Sequence, residues 1–266
     1  MQLIEKDNAK TIRAWTFYDW ANSVFPLVIT SAIFPNFYDY VTTHDEAKNF
    51  IGHNVNFLGF EMENQNIYSF IYAFALSIVV LITPVLSGVA DYLGNKKRFM
   101  QFFCYLGALS CMCLFFFNRI HLELSFIPFI TATVGFWGSL VFYNAFLPEI
   151  AEVQSQDKVS ARGFAMGYAG SSLLLIFNLM MVQKPEWFGI SDAGMATRIS
   201  FLTVGIWWIG FAQIPFYYLP DKAAIGKSRE NMLTKGYQEL RKVWKDMKHN
   251  YVLRSYLLAF FVYNMG

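Results

Sequence analysis

The chain has 266 residues, of which 55% are hydrophobic, 19% aromatic and only 15% charged. This composition excludes an ordinary soluble domain and indicates an integral membrane protein. The net charge of +2 points to no nucleic-acid partner, because in a membrane protein the placement of Lys and Arg matters more than their sum.

Apolar runs of about 20 residues, long enough to cross the ~30 Å hydrocarbon core of a bilayer, predict transmembrane helices. Six complete runs, named spans 1 to 6 below, lie near residues 15–40, 67–90, 99–118, 124–148, 163–183 and 197–219. A seventh starts at about residue 254. Spans 1 and 4 are longer than a straight crossing requires and contain prolines, which predicts tilted or kinked helices.

The connections between the spans differ sharply in their content of Lys and Arg. The charged N-terminal stretch lacks the apolar core of a secretory signal peptide, so span 1 should stay attached. With this terminus in the cytoplasm and strict alternation after it, 17 of the 21 Lys and Arg residues fall in cytoplasmic segments and 4 in external ones. Positive charges prefer the cytoplasmic side, so this split favours six correctly placed spans.

The connection after span 6 is long and basic. Its middle places apolar and aromatic residues at helical spacing, namely Tyr237, Leu240, Val243, Trp244 and Met247. This pattern is typical of an amphipathic helix lying on anionic headgroups, with a solvated linker as the alternative. The external loop 41–66 is polar and predicts no particular structure.

The last 13 residues, 254–266, make only ~20 Å of helix, which is too short to cross a bilayer. We therefore expect a six-helix bundle over 1–219, a cytoplasmic connection over 220–253 and the start of a seventh helix over 254–266. On this interpretation the chain is truncated and a C-terminal half of the same protein is its missing partner.

No cofactor or metal is predicted. Cys104, Cys111 and Cys113 share one apolar run, where packing is the expected role, and the four His residues lack the spacing of metal ligands. The sequence also contains no Walker A motif, so ATP is not expected to drive this chain.

The loop SGVADYLGNKKR, residues 87–98, places Asp91 and Gly94 before the cations Lys96, Lys97 and Arg98. It resembles the loop between helices 2 and 3 of the major facilitator superfamily. Two positions depart from that pattern: Ser87 stands where the family has glycine, and Tyr92 stands where a basic residue usually follows the aspartate. A simple positive-inside anchor is the alternative interpretation.

Four further stretches narrow the resemblance: YDWANS (18–23), YNAFLPE (143–149), SARGFAMGYAG (160–170) and FFVYNMG (260–266). Together they are similar to the branch of the superfamily that includes the fungal vacuolar amino-acid effluxers of autophagy and their bacterial relatives. The resemblance implies a twelve-helix secondary transporter of two halves that works by alternating access. It also implies a small solute such as an amino acid, and a bacterial plasma-membrane location with a cytoplasmic N-terminus.

A polar stripe runs along span 1, because Asp19, Asn22, Pro26 and Thr30 are spaced 3, 4 and 4 residues apart. An ionisable group at this depth is costly against lipid, so the stripe is expected to face the bundle interior or water. Asp19 is then the candidate carrier of a coupling proton. Alternatively, Asp19 lies near the interface and pairs with Arg13 or Lys10.

Other candidate residues fall into three groups. The candidate substrate pathway adds Tyr18, Tyr143, Asn144 and Asn264, where Tyr263–Asn264 parallels Tyr18–Asp19 in the second half. The candidate cytoplasmic gate consists of Asp91, Gly94, Lys96, Lys97, Arg98, Glu149 and Arg162. Arg162 is predicted to bond Asp91 or Glu149. Gly163, Gly167 and Gly170 form a small-residue face that is expected to let another helix approach closely.

Two other function classes stay open. A membrane-embedded enzyme would need a nucleophile–base pair or a metal cluster near a membrane face, and the placement of His and Cys predicts neither. A non-transporting receptor or scaffold with a transporter fold is compatible with every pattern above.

Overall fold

A computed structural model describes residues 6–45, 47–93, 96–220, 250–252, 254–255 and 258–259, without the side chains of 84, 85 and 87–93. The predicted amphipathic helix in 220–253, the side chain of Asp91, and the residues Gly94 and Asn264 lie outside this description. Numbering of helices and strands follows the chain.

Span 1 is helical from Ala9 to Thr43 but changes its winding twice. Helix α1 (Ala9–Asn22) gives way to a π-helical segment (Phe25–Ile33), which continues as α2 (Phe34–Thr43). Pro26 stands at the start of the π segment, and proline has no N–H to donate to the carbonyl of Asn22 four residues earlier. The change of winding therefore begins beside the polar stripe, in one of the two spans whose prolines predicted a tilted or kinked helix.

The remaining spans are long regular helices. Their bounds are α3 (Asn64–Leu93), α4 (Lys96–Cys113) with a 3₁₀ turn (Leu114–Phe116), α5 (Leu122–Ile150), α6 (Val153–Gln183) with a 3₁₀ turn (Pro185–Phe188), and α7 (Ala193–Tyr218). Among the described residues, five helices are long and apolar enough to cross a membrane: α3, α4 with its 3₁₀ turn, α5, α6 and α7. The structure confirms an all-α membrane protein.

A short β-hairpin interrupts the otherwise helical architecture. Strands β1 (Asn54–Phe57) and β2 (Phe60–Glu63) pair antiparallel across a turn in which Leu58 and Gly59 have φ of 52° and 84°. Glu123 at the start of α5 accepts a hydrogen bond from the Leu58 N–H at 3.0 Å. Loop 41–66 is therefore structured, which its polar sequence did not predict, because Leu-Gly is not a strong hairpin-turn signal.

Two glycines allow α4 and α5 to cross at close range. A Cβ built on Gly135 would overlap the backbone of Gly107, and one built on Gly107 would lie 2.5 Å from the Trp208 ring of α7. Elsewhere in the core, the rings of Phe34 and Phe129 stack with 4.7 Å between their centroids. Aromatic rings and glycines together give the bundle its interior packing.

One end of the bundle gathers the segments that the charge pattern assigned to the cytoplasm. The backbone N–H of Asp7 donates to the Ile150 carbonyl at 2.8 Å, which joins the start of α1 to the end of α5. The Asp7 carboxylate accepts hydrogen bonds from the Glu152 N–H and the Ser155 hydroxyl, each at 3.3 Å, at the start of α6. Lys97 donates to the Leu219 carbonyl at 3.0 Å, so the α4 start and the α7 end lie together.

Candidate functional site

The Asp19 carboxylate lies inside the bundle, where only 6% of the residue is exposed. The Tyr143 hydroxyl of α5 donates to Asp19 Oδ2 at 2.7 Å. One turn before Asp19 on α1, the Trp15 indole N–H donates to the Tyr143 carbonyl at 2.9 Å, and the two rings stack at 4.2 Å between centroids. Trp15 therefore fixes the position of Tyr143, and Tyr143 in turn fixes the Asp19 carboxylate.

Among the described residues, no cation is paired with Asp19. The Lys10 ammonium lies 4.5 Å from the ring centroid of Tyr218, and Arg13 is exposed. The alternative in which Asp19 pairs with Arg13 or Lys10 at the interface is therefore wrong for this structure. A charge buried without an opposite charge is destabilised, so binding of a proton or of a cationic group of a solute would relieve the unfavourable free energy.

The glycine face of α6 packs directly on α1 at this carboxylate. A Cβ on Gly163 would overlap Asp19 Oδ2 and lie 3.1 Å from the Tyr143 hydroxyl oxygen. A Cβ on Gly167 would overlap the Ser23 hydroxyl. Gly170 lies against Trp20, whose ring a Cβ would approach to 2.8 Å. The predicted small-residue seam therefore seats α6 on the polar side of α1.

Two predicted pathway residues beside Asp19 keep polar atoms buried without a regular hydrogen bond. Asn22 is 1% exposed; its Oδ1 accepts from the Ser23 hydroxyl at 3.4 Å, while its Nδ2 has no partner among the described residues. The fully buried Tyr18 hydroxyl faces Cys104, Ser139 and Trp208, without a hydrogen bond of normal geometry among the described residues. Buried donors normally have hydrogen-bond partners, so the Asn22 amide and the Tyr18 hydroxyl are unsatisfied among the described residues.

The other predicted pathway residues are not brought to Asp19. Asn144 is exposed on α5 although its neighbour Tyr143 is buried. Thr30 is partly buried within the π segment, and its hydroxyl has no partner among the described residues. The site that the structure assembles therefore consists of Trp15, Asp19 and Asn22 from span 1, with Tyr143 from α5.

The gate residues that the structure describes divide into a paired and an exposed set. Lys96 at the start of α4 forms a salt bridge with Glu149 near the end of α5, at 3.1 Å. Arg98 and Arg162 are exposed. The predicted bond between Arg162 and Glu149 is therefore not formed in this structure, where Lys96 pairs with Glu149 across the α4–α5 interface, and the alternative bond to Asp91 lies outside the described side chains.

The Lys96–Glu149 pair is expected to stabilise the bundle end measurably. Both side chains are mostly buried, with 15% and 20% exposed, so the interaction should exceed that of a surface pair. In a double-mutant cycle with Lys96→Met and Glu149→Gln, we expect a coupling free energy of roughly 1–2 kcal/mol. Detergent unfolding curves measure it, with exposed Lys158→Met as the control. A coupling indistinguishable from zero would contradict the prediction.

A second polar cluster escaped the sequence interpretation. At the opposite end of the bundle, buried Asn64 donates to Asp39 Oδ1 at 2.8 Å and to the Thr42 hydroxyl at 3.0 Å. Tyr38 donates to the Asn64 carbonyl at 2.8 Å. These groups adjoin an open pocket of about 360 Å³ between α2 and α3. No local spacing could reveal the cluster, because its members come from two separate helices, α2 and α3.

Comparison with known proteins gives a consistent result. The family described as "Vacuole effluxer Atg22 like" matches residues 7–266. A Bacillus subtilis (strain 168) protein named "Uncharacterized MFS-type transporter YxiO" is 30% identical over 97% of this chain and 57% of its own length. "Autophagy-related protein 22-2" of Aspergillus niger is 18% identical over 71% of this chain and 42% of its own length.

An uncharacterized Aquifex aeolicus protein is 24% identical over 66% of this chain and 40% of its own length. The chain thus spans between 40% and 57% of the length of these three relatives. No solved structure matches the chain.

Proposed function

Because this chain belongs to the Atg22-like vacuole effluxer family, as its motifs indicated, we propose that it forms the six-helix N-terminal half of a secondary transporter. The transporter moves a small solute by alternating access between two halves. The chain's 57% share of its Bacillus subtilis relative supports this division of the longer protein. The cargo class that the family resemblance favours is amino acids or related metabolites.

The observation that carries the proposal is the buried Asp19 carboxylate, which is held by a neutral tyrosine and has no ion pair among the described residues. In a soluble core such a group would normally be paired. In a membrane bundle, an intramembrane ionisable residue marks a solute or ion pathway by default. Asp19 therefore takes up the coupling proton in one conformation and releases it in the other.

The neighbouring groups have supporting roles in this scheme. Tyr143 and Trp15 hold the carboxylate in one position, and the Asn22 amide offers a donor one turn away. Pro26 has no N–H for the Asn22 carbonyl, so the regular α-helical bond at this level is absent. These donors and acceptors suit the polar part of a zwitterionic or otherwise small polar solute.

At the end of the bundle that carries most of the Lys and Arg residues, the Asp7 contacts and the Lys96–Glu149 pair keep the helix ends together. The six-helix half can then move as one rigid body. The charge distribution supports assigning this end to the cytoplasm of a bacterial cell. The second half, encoded beyond the six spans, supplies the opposite wall of the pathway.

Reconstitution tests the proposal. Full-length protein in proteoliposomes should accumulate one or more labelled amino acids when a pH gradient is imposed, whereas the 266-residue chain alone should show no flux above empty vesicles. In the same vesicles, an impermeant thiol reagent should label Lys227→Cys only from the side on which it also labels Lys6→Cys near the N-terminus. Robust flux by the chain alone would contradict the two-half pathway, and ligand binding without any flux would indicate a receptor.

A further inference from the structure

A groove open to the surface lies between the first turns of α1 and the last turn of α7. Its volume is about 540 Å³, within the ~300–1,000 Å³ typical of pockets that hold small molecules. Ala14, Phe17, Ile214 and Tyr218 make its walls largely apolar. Ile214 and Tyr218 are 40% and 41% exposed, so an apolar partner lying there would cover surface that the bundle itself leaves open.

The charged residues among the described lining are both cations. Lys10 and Arg13 are exposed and lie one turn apart on α1, so they reach the same edge of the groove. Lys10 Nζ lies 4.5 Å above the Tyr218 ring. Within the described part of the chain, neither cation forms an ion pair with a carboxylate. The groove therefore combines an apolar floor with two uncompensated positive charges at one edge.

The position of the groove suits a ligand with one polar and one apolar end. Helix α1 begins at Ala9, at the start of span 1, and α7 ends at Tyr218, so the groove lies where span 1 begins and the membrane-spanning helix α7 ends. Helix ends lie near the level of the headgroups, where Lys, Arg and Tyr are enriched and where basic pockets between helices recognise lipid phosphates.

We propose that this groove binds an anionic glycerophospholipid. Lys10 and Arg13 contact the phosphate, and one acyl chain lies along Phe17 and Ile214. A free phosphate would use the cations but would leave the apolar walls exposed, so the shape of the site favours the lipid. The bound lipid bridges the start of α1 and the end of α7, and this role does not depend on whether the protein transports amino acids.

Native mass spectrometry of the delipidated 266-residue chain tests the site. Phosphatidylglycerol and phosphatidylcholine with identical acyl chains are titrated separately. We expect the first phosphatidylglycerol to bind roughly tenfold more tightly, since each nearby Lys or Arg favours an anionic headgroup. Lys10→Gln with Arg13→Gln should remove that preference. The matched control, Lys158→Gln with Arg162→Gln, removes two exposed cations one turn apart on α6 and should keep it.

Two further arms separate the lipid from other occupants. Ile214→Trp keeps both cations but fills the groove, so it should weaken phosphatidylglycerol binding, whereas excess inorganic phosphate should not displace the lipid. Equal loss of the phosphatidylglycerol preference in both double variants would show that any exposed cations attract the anionic lipid. Displacement of the lipid by phosphate would show that the groove binds free anions. Disulfide formation between Ile214→Cys and Trp244→Cys in lipid-filled nanodiscs would show that the chain's own basic connection covers the groove. Any of these three outcomes overturns the proposal, provided that thermal melts show each variant folded.

Discussion

Asp19→Asn in the full-length transporter is expected to reduce pH-gradient-driven uptake roughly tenfold or more, while solute exchange stays close to wild type. The amide has nearly the size of the carboxyl group and keeps an oxygen that accepts from the Tyr143 hydroxyl, so the packing against Gly163 should survive. An amide cannot carry a proton. Exchange needs the binding site but no net proton transfer, so only gradient-driven movement should fail.

Asp45→Asn is the matched control, because it removes the same charge from a hydrated loop. Asp45 is exposed, and hydrogen bonds from Asn49 lower the pKa of its carboxyl group, so it stays ionised at neutral pH. Water and salt screen a charge in this position, and uptake should change by less than about twofold. Both activities are normalised to folded protein. Normal gradient-driven uptake by Asp19→Asn would defeat the carrier role while leaving the fold intact.

Gly135→Ala is expected to destabilise the bundle by roughly 2–3 kcal/mol, or to prevent its folding. The added methyl group would overlap the backbone of Gly107 and lie 2.8 Å from the Phe103 carbonyl oxygen. Backbone atoms cannot rotate out of the way as a side chain can, so α4 and α5 would have to separate. Their separation would also withdraw the packing of Trp208 against Gly107.

Gly210→Ala supplies the control for the loss of a helical glycine. Among the described residues, no atom apart from the neighbouring backbone of α7 lies within 4 Å of a Cβ built at Gly210, so the methyl group meets open space there. Because alanine favours the helix more than glycine does, stability should be unchanged or higher by up to about 1 kcal/mol. Unfolding of both variants in mixed micelles with increasing dodecyl sulfate measures the difference. Equal midpoints for the two variants would contradict the close helix crossing.

The sequence by itself determined the class of the protein, the approximate positions of its helices and its family. Hydropathy over 20 residues is a local property, and a bilayer leaves a spanning segment no alternative to the helix other than a closed barrel. The spacing of Asp19 and Asn22 placed both on a polar stripe that was expected to face the bundle interior or water, and in the structure both residues are buried. The motif YNAFLPE drew attention to Tyr143 and Glu149 without saying what either contacts.

Only the tertiary structure decided which side chains meet. Tyr143 is 124 residues away from Asp19 along the chain, and Lys96 is 53 residues from Glu149, so no periodicity relates them. The glycine pair Gly107 and Gly135 was missed, since a close crossing depends on the position of both helices in space. Apolar periodicity marks the face of a helix that is buried, but close packing against specific neighbours selects its partner, and that selection depends on all six spans together.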